Sequence, residues 1–482
     1  MQRNANYKGK LTARDNVDVA VHAESHDTGQ EHCRRGRQHQ LGGMVHAMST
    51  GYWDTWPGRS GRFRYRALRT RYLRLAGEPL QKKSPREKPQ RNCDFASGVE
   101  QLAEVSQGVL RGPVSLDLDF NSTSSQPPGV EKLAKRCLDV LGAPGTAGGM
   151  PGRLHLLYRD DVQVALLYAR LYELPPGTPT SDGHTDVTAR PLRDVVDDLE
   201  LAGNLRHALP LQDDDSSSPF FQPNVPDPDW EPTFDLDLAE NPDQAQRRRS
   251  LNAWLHLKDQ AEVQEALLAV TDSQIASLLC LAPKRLLPWE TVAPADDGLH
   301  ARFEDLDDQQ SDNRTLILSS PIVIPLPSLP GARGERDGFL PRIRKQLLRW
   351  QARWPILDPL LVPLKVTFLV VPPLAVDKDL DNIVLEVLPL VHEVLRPDPK
   401  PWMASFTGLP DDVRARHQES RDRLQRLNRH SVASYEIIRL RRHHDDPPGG
   451  LFRLALGNGS EIGSTWSRIA RYVDVNIESL PD

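Results

Sequence analysis

Apolar residues recur along this chain with two periods, and the change from one to the other marks out the elements. In FRYRALRTRYLRLAGEP, Phe63, Tyr65, Leu73 and Leu75 alternate with arginines, the period of a half-buried strand. A basic loop, LQKKSPREKPQR, leads to a helix predicted from about Asp94 as N-cap, with Val99, Leu102, Val105 and Val109 on one face and Gly112 and Pro113 as its stop. Val114, Leu116, Leu118 and Phe120 then alternate with Ser115, Asp117 and Asp119, a strand with one wet face. After the turn SSQPPG, Val130, Ala134, Cys137, Leu138 and Leu141 repeat at helical spacing, while Glu131 and Lys135 share the neighbouring face. A Gly/Pro loop leads to LLYRDDVQVALLYARLYE, where a turn bearing Asp160 and Asp161 opens another strand.

From Leu316 the same order returns. An apolar run (TLILSSPIVIPLP), a Gly/Arg-rich loop and a helix with Phe339, Ile343, Leu347, Trp350 and Trp354 aligned are followed by Pro363, in the part of Pro113. The strand LKVTFLVV, the turn PPLAVDKDLDN and a helix aligning Ile383, Val387, Leu390, Val391 and Val394 come next, and SVASYEIIRLRR and GLFRLALG read as two final strands. The expectation is an α/β (α+β) fold of two small units, each a mixed sheet with helices packed on it, at 62–175 and 314–460. A partly disordered acidic linker, 176–313, joins them and carries a helical hairpin at 243–281; residues 461–482 form a C-terminal helix or tail.

Composition narrows this picture. Of 482 residues only 38% are hydrophobic, and 41 are proline, so two modest cores with loose connections are expected rather than one large globule. Residues 1–55 read as a disordered tail, in which His22, His26, His32, His39 and His46 match no ligand spacing. A net charge of −6 gives no global attraction to nucleic acid, so any such contact must be local. Cys33, Cys93, Cys137 and Cys280 form no CxxC pair, which argues against a disulfide framework and a thiolate zinc site. Without a long apolar run or an apolar signal core, a cytoplasmic protein with no membrane partner is expected. No nucleophile elbow or GxxxxGK[ST] loop is present, which sets aside esterase and NTPase chemistry.

Carboxylates two apart at a strand-to-helix turn, joined by another from a distant turn, make an oxygen-rich pocket suited to Mg²⁺. Here the residues resemble a family, the RusA-like Holliday-junction resolvases, metal-dependent endonucleases that act as dimers on branched DNA. The first copy carries GEPLQKKSPR, GPVSLDLDF, GVEKLAKRCLDVL and YRDDVQV; the second carries DKDLDNIVLEVL and VASYEIIRL. The resemblance covers roughly half the chain. It implies an Mg²⁺-dependent, structure-specific endodeoxyribonuclease of recombination and repair, with branched or duplex DNA as its partner.

Carried across position by position, the family's roles fall unevenly. In the first copy Asp161 matches the later metal-binding aspartate and Lys135 the catalytic lysine, while Glu131 replaces the second aspartate of the acidic pair and Gly129 the first. In the second copy Asp379 and Asp381 match that pair, but Leu385 stands where lysine should be and Asn428 to Ser431 replace the DDxQ turn. Three readings are open. The first copy alone binds Mg²⁺ through Glu131 and Asp161, with Asp160 assisting and Asp117 or Asp119 supplying a ligand. Alternatively, the two copies form an intrachain pseudo-dimer, in place of the family's homodimer, and share sites at their interface. In the third, catalysis is lost and a DNA- or protein-binding module remains.

For DNA contact the candidates are Lys82, Lys83 and Arg86, with Lys88 and Arg91, in the loop beside the acidic site. Arg342, Arg344, Lys345, Arg349 and Arg353 form a second patch, which reads more readily as the solvated face of an amphipathic helix with its tryptophans in the core. His443, His444, Asp445 and Asp446 precede PPGG and read as a hairpin turn rather than a metal cluster.

Overall fold

Eight strands and eight helices carry these patterns among the described residues. In chain order they are α1 (Trp56–Arg69), β1 (Arg71–Ala76), α2 (Glu87–Glu104), β2 (Val114–Ser122), α3 (Val130–Gly142), β3 (Val164–Glu173), β4 (His184–Pro191) and α4 (Leu192–Ala208). After these come α5 (Pro242–Leu281), β5 (Val323–Leu326), α6 (Phe339–Arg353), β6 (Leu364–Val371), α7 (Leu380–Val394), β7 (Val432–Arg439), β8 (Leu451–Asn458) and α8 (Thr465–Asn476). The computed structural model describes residues 56–104, 108–142, 144–145, 155–174, 182–208, 242–287, 323–330, 338–357, 360–374, 380–395, 432–442 and 446–476. The chain divides into residues 1–59 and the unit Ser60–Asp482, and every strand belongs to the second. The expected tail at 1–55 lies outside the described residues.

All eight strands join one mixed sheet in the order β1-β4-β2-β3-β7-β6-β8-β5. This differs from the expected sheet per unit, for a physical reason. β3 and β7 would each end a four-stranded sheet with a row of unpaired backbone groups, and pairing with each other satisfies both edges.

The registers repeat across that seam. In the parallel pair β2/β3, Val114 faces Val164 and Ser115 faces Leu166, skipping Ala165; in β6/β7, Leu364 faces Val432 and Lys365 faces Ser434, skipping Ala433. β4 and β8 then run antiparallel to β2 and β6. In the antiparallel pair β3/β7, Tyr168 faces Glu436, and each stands four residues past the start of its own strand. A local two-fold axis therefore passes through this pair.

Helices cover both faces. On one, α2 packs on α3, α3 on α7 and α7 on α6; on the other lie α4, α8 and α5. Alternation along β2 sends Val114, Leu116, Leu118 and Phe120 into the core beneath the first group, with Leu133, Cys137 and Leu141 of α3. In the second half Phe452 stacks between Phe368, at 5.7 Å, and Phe339, at 6.3 Å.

Where β6 and β7 meet the second group, a buried polar network replaces apolar packing. Lys365 pairs with Asp272 of α5 and with Glu436 Oε1 at 3.3 Å; Glu436 also accepts hydrogen bonds from Thr367 Oγ1 (2.8 Å), Thr465 N (2.9 Å) and Thr465 Oγ1 (2.5 Å). Burial alone would raise the Glu436 pKa, but the Lys365 charge and the Thr465 bonds outweigh it and hold the carboxyl below its ordinary value.

Several elements differ from the sequence expectation. Phe63 and Tyr65 belong to α1, because Arg66 turns inward to Asp198 and Asp474 while Tyr65 stays exposed; the strand starts at Arg71. Asp94 is no N-cap but lies within α2, buried and ion-paired with Arg136 at 2.5 Å. The expected linker contains β4 and α4, and β4 pairs with both β1 and β2. The expected hairpin at 243–281 is one 40-residue helix, α5, which has neither glycine nor proline after Pro242 to break it. The acidic runs Asp213 to Asp215 and Asp305 to Asp308 lie outside the described residues.

Candidate active site

Helix α3 buries most of its surface, and Glu131, Lys135 and Asp139 follow at four-residue steps along one stripe, Glu131 buried and the other two half-buried. Two sequence devices set its surroundings. Gly77 takes a left-handed φ of 98°, and Glu78 beside it accepts hydrogen bonds from Ser122 Oγ, Thr123 N (3.0 Å) and Thr123 Oγ1 (2.8 Å), pinning the turn that precedes α3. In YRDDVQV, Asp160 Oδ1 accepts from Val162 N (3.0 Å) and Gln163 Oε1 from Asp160 N (3.2 Å), a capping box. Gln163 Nε2 donates to Gly112 O at 2.8 Å, which ties the turn to the start of β2.

The capping box places Asp161 at the site. Its Oδ2 stands 3.8 Å from Lys135 Nζ. From the second half, Asp381 in the first turn of α7 is almost fully buried and brings Oδ2 to 2.5 Å from the same ammonium, while its Oδ1 accepts from Asn382 N at 2.8 Å. Asp139 completes the group, with Oδ1 3.8 Å from Lys135 and Oδ2 2.8 Å from Lys82 of the basic loop. Three carboxylates from both halves thus surround one lysine.

Burial works to lower the Lys135 pKa, but the hydrogen bond and charge of Asp381, then the charges of Asp139 and Asp161, outweigh it and raise it; the side chain is a cation at neutral pH. Tyr158 and Tyr435 stay protonated, raised well above the usual phenol value by burial first. The next cause is the charge of Asp161 for Tyr158, and of Glu131 and Asp381 for Tyr435.

Of the residues singled out in the sequence, Lys135, Asp161, Asp381 and Lys82 come together. Glu131 lies close by, its carboxylate folded back over Gly129 so that a Cβ there would stand 2.5 Å from Oε2. It fills the space of the side chain that position lacks. Asp160 is exposed and serves as the cap. Lys83 and Arg86 are exposed on the loop of Lys82. Asp379 lies outside the described residues, as do Asn428 to Ser431.

Asp117 and Asp119 belong to the opposite face of the sheet, and for Asp117 that face is not wet. It accepts hydrogen bonds from Ser464 Oγ and Trp466 Nε1, both at 2.8 Å, beneath α8. Burial first pushes the two carboxyls up, to about 7 for Asp117 and about 6 for Asp119. In α6, Trp350 is buried while Arg342, Arg344, Lys345, Arg349 and Arg353 are exposed, with Arg344 2.6 Å from Glu393. Asp446 is buried against Arg285 at 3.1 Å; His443, His444 and Asp445 lie outside the described residues.

Asp139, Tyr158 and Tyr435 were not foreseen. Only Asp139 had a local signal, four residues past Lys135 on the same stripe.

Whether Mg²⁺ suits this site can be judged from the donors. Among the described residues no group of three or more His, Cys, Asp or Glu is arranged to hold a metal ion. The converging atoms are nonetheless all carboxylate oxygens, the donors Mg²⁺ takes, and the buried Asp381 Oδ2 accepts no hydrogen bond beyond its ion pair with Lys135. The donors are thus of the kind Mg²⁺ takes, and they are gathered on the Lys135 ammonium. No helix among the described residues is long and apolar enough to cross a membrane. Compared with family models, with curated proteins and with solved structures, the chain matches none.

Proposed function

We propose that this chain is a RusA-like, Mg²⁺-dependent endodeoxyribonuclease acting on branched DNA, in which two fused copies form an intrachain pseudo-dimer with one composite site. The observation that carries the reading is that Lys135 and Asp161 of the first half meet Asp381 of the second. Each half carries only part of the motif set, and Lys135, Asp161 and Asp381 are the parts that converge among the described residues. Asp161 and Asp381 would hold the ion.

When bound, Mg²⁺ would supply charge that polarises a scissile phosphodiester and favours a hydroxide nucleophile. Lys135, held protonated, turns from Asp381 toward the phosphate and offsets its charge, and Asp139 is the carboxylate within its reach during that turn. Lys82, Lys83 and Arg86, exposed on the adjoining loop, follow the sugar-phosphate backbone. The neutral phenols of Tyr158 and Tyr435 add no charge to a site already crowded with carboxylates.

A second reading, a catalytically inactive DNA- or protein-binding module, is favoured by the same ammonium. Lys135 already compensates the carboxylates, so the cluster can persist as a structural ion-pair network. Incubation with a synthetic four-way junction and Mg²⁺ separates the two. The nuclease reading expects cleavage that falls at least ~100-fold in both Asp161→Asn and Asp381→Asn. Binding without cleavage supports the module, and cleavage indifferent to both substitutions refutes the composite site.

A further inference from the structure

We infer that the chain makes one incision per encounter with DNA, because its local two-fold axis repeats the fold without repeating the site. The inference rests on the nuclease reading above. β6 starts 250 residues after β2 (Val114 and Leu364), and α7 starts 250 residues after α3 (Val130 and Leu380), so from β2 to α3 the positions of the two halves match without gaps. Rotation about the Tyr168 and Glu436 pair therefore exchanges Lys135 with Leu385, Asp139 with Pro389 and Asp381 with Glu131.

The mate of the site has leucine for its ammonium and proline for the carboxylate one turn on. Its remaining acid, Glu131, lies folded over Gly129. In the sequence the residue three positions before β3 is Asp161, whereas three positions before β7 it is Arg429, which lies outside the described residues. A leucine and a proline can neither hold a cation nor neutralise a phosphate, and no rotamer change supplies what they lack. Only one of the two symmetry-related positions can do the chemistry.

A symmetric two-site enzyme cuts both strands of a cruciform in one encounter and linearises a plasmid. One site leaves a nick, and the second cut requires release and rebinding in the opposite orientation. Two measurements on the full chain, at concentrations where it is a monomer, test this. Equilibrium titration with Mn²⁺ without DNA should count one ion per chain. A supercoiled plasmid bearing an extruded inverted repeat should give open circle first, with linear product only after a lag, and a challenge with excess unlabelled junction after binding should abolish the linear form.

Two ions per chain, or linear product without an open-circle intermediate, would overturn the inference while leaving the nuclease reading intact. Absence of any incision would overturn the nuclease reading, and this inference with it.

Discussion

Asp117→Asn should remove a dependence of stability on pH. In the folded protein burial pushes the Asp117 carboxyl up from 3.8 to about 7, the Asp119 charge adds to the rise, and Arg190, Ser464 and Trp466 oppose it. In the unfolded chain an aspartate titrates near ~3.9. Between those values the folded state holds a proton that the unfolded state has released, so stability falls as pH rises. Every tenfold difference in proton affinity is worth ~1.4 kcal/mol, so the wild type loses up to ~4 kcal/mol through this group between about pH 4 and pH 7. Asparagine does not titrate. Its amide oxygen can accept from Trp466 Nε1, and its NH₂ can donate to Ser464 Oγ, whose hydroxyl rotates to suit. Urea unfolding of both proteins at pH 4.5, 6 and 7.5 should show the variant gaining steadily on the wild type and then levelling off. Parallel curves across that range would refute the buried, protonated carboxyl.

Two further substitutions test the framework around the site. Asp160→Ala should cost about 1 kcal/mol in denaturant unfolding through loss of the cap, while Mn²⁺ affinity stays at the wild-type value; a lost ion would make Asp160 a ligand. Lys365→Met removes the cation nearest Glu436 and Asp272, leaving Arg468 at 3.8 Å from Asp272, and should cost about 3 kcal/mol at pH 7. That cost should shrink at pH 4, as Glu436, no longer held down by the Lys365 charge, takes up a proton, and a pH-independent loss seen by calorimetry would point to packing instead.

Elements with a strong local period were legible. The alternation from Val114 to Phe120 and the helical spacing from Val130 to Leu141 appear as β2 and α3, because each is fixed by which side chains face the core. β4 and α4 were hidden by their polarity. Asp194 and Asp198 read as linker residues, yet both are buried, paired with Arg69 for the first and with Arg66 and Arg190 for the second. The same ion pairs explain α1, whose arginines imitate the polar positions of a strand. At the site, Lys135, Asp161 and Asp381 were readable one at a time from their motifs. Their meeting was not, since it depends on the β3/β7 register and the packing of α3 on α7, neither of which leaves a periodic trace.

On the proposed reading, that register also accounts for the uneven loss of motif residues. In a homodimer each substitution appears twice, so losing the lysine or the later aspartate removes it from both sites. Within one chain the halves are held in a fixed register by the seam and can change separately. A site built from Lys135 and Asp161 on one side and Asp381 on the other needs only one good copy of each part. Its symmetry mate is then free to change: Leu385, half-buried, and Pro389, exposed, belong to α7, whose Ile383, Val384, Val387, Leu388 and Val391 are buried against the sheet and neighbouring helices. A lysine at 385 would be a second cation with Glu131 as its nearest counterpart by symmetry, and Glu131 is already turned over Gly129. The two changes therefore belong together: once Glu131 occupies the space above Gly129, an ammonium at 385 has lost the partner that Asp381 provides for Lys135, and an apolar side chain avoids the cost of a charge left beside the core.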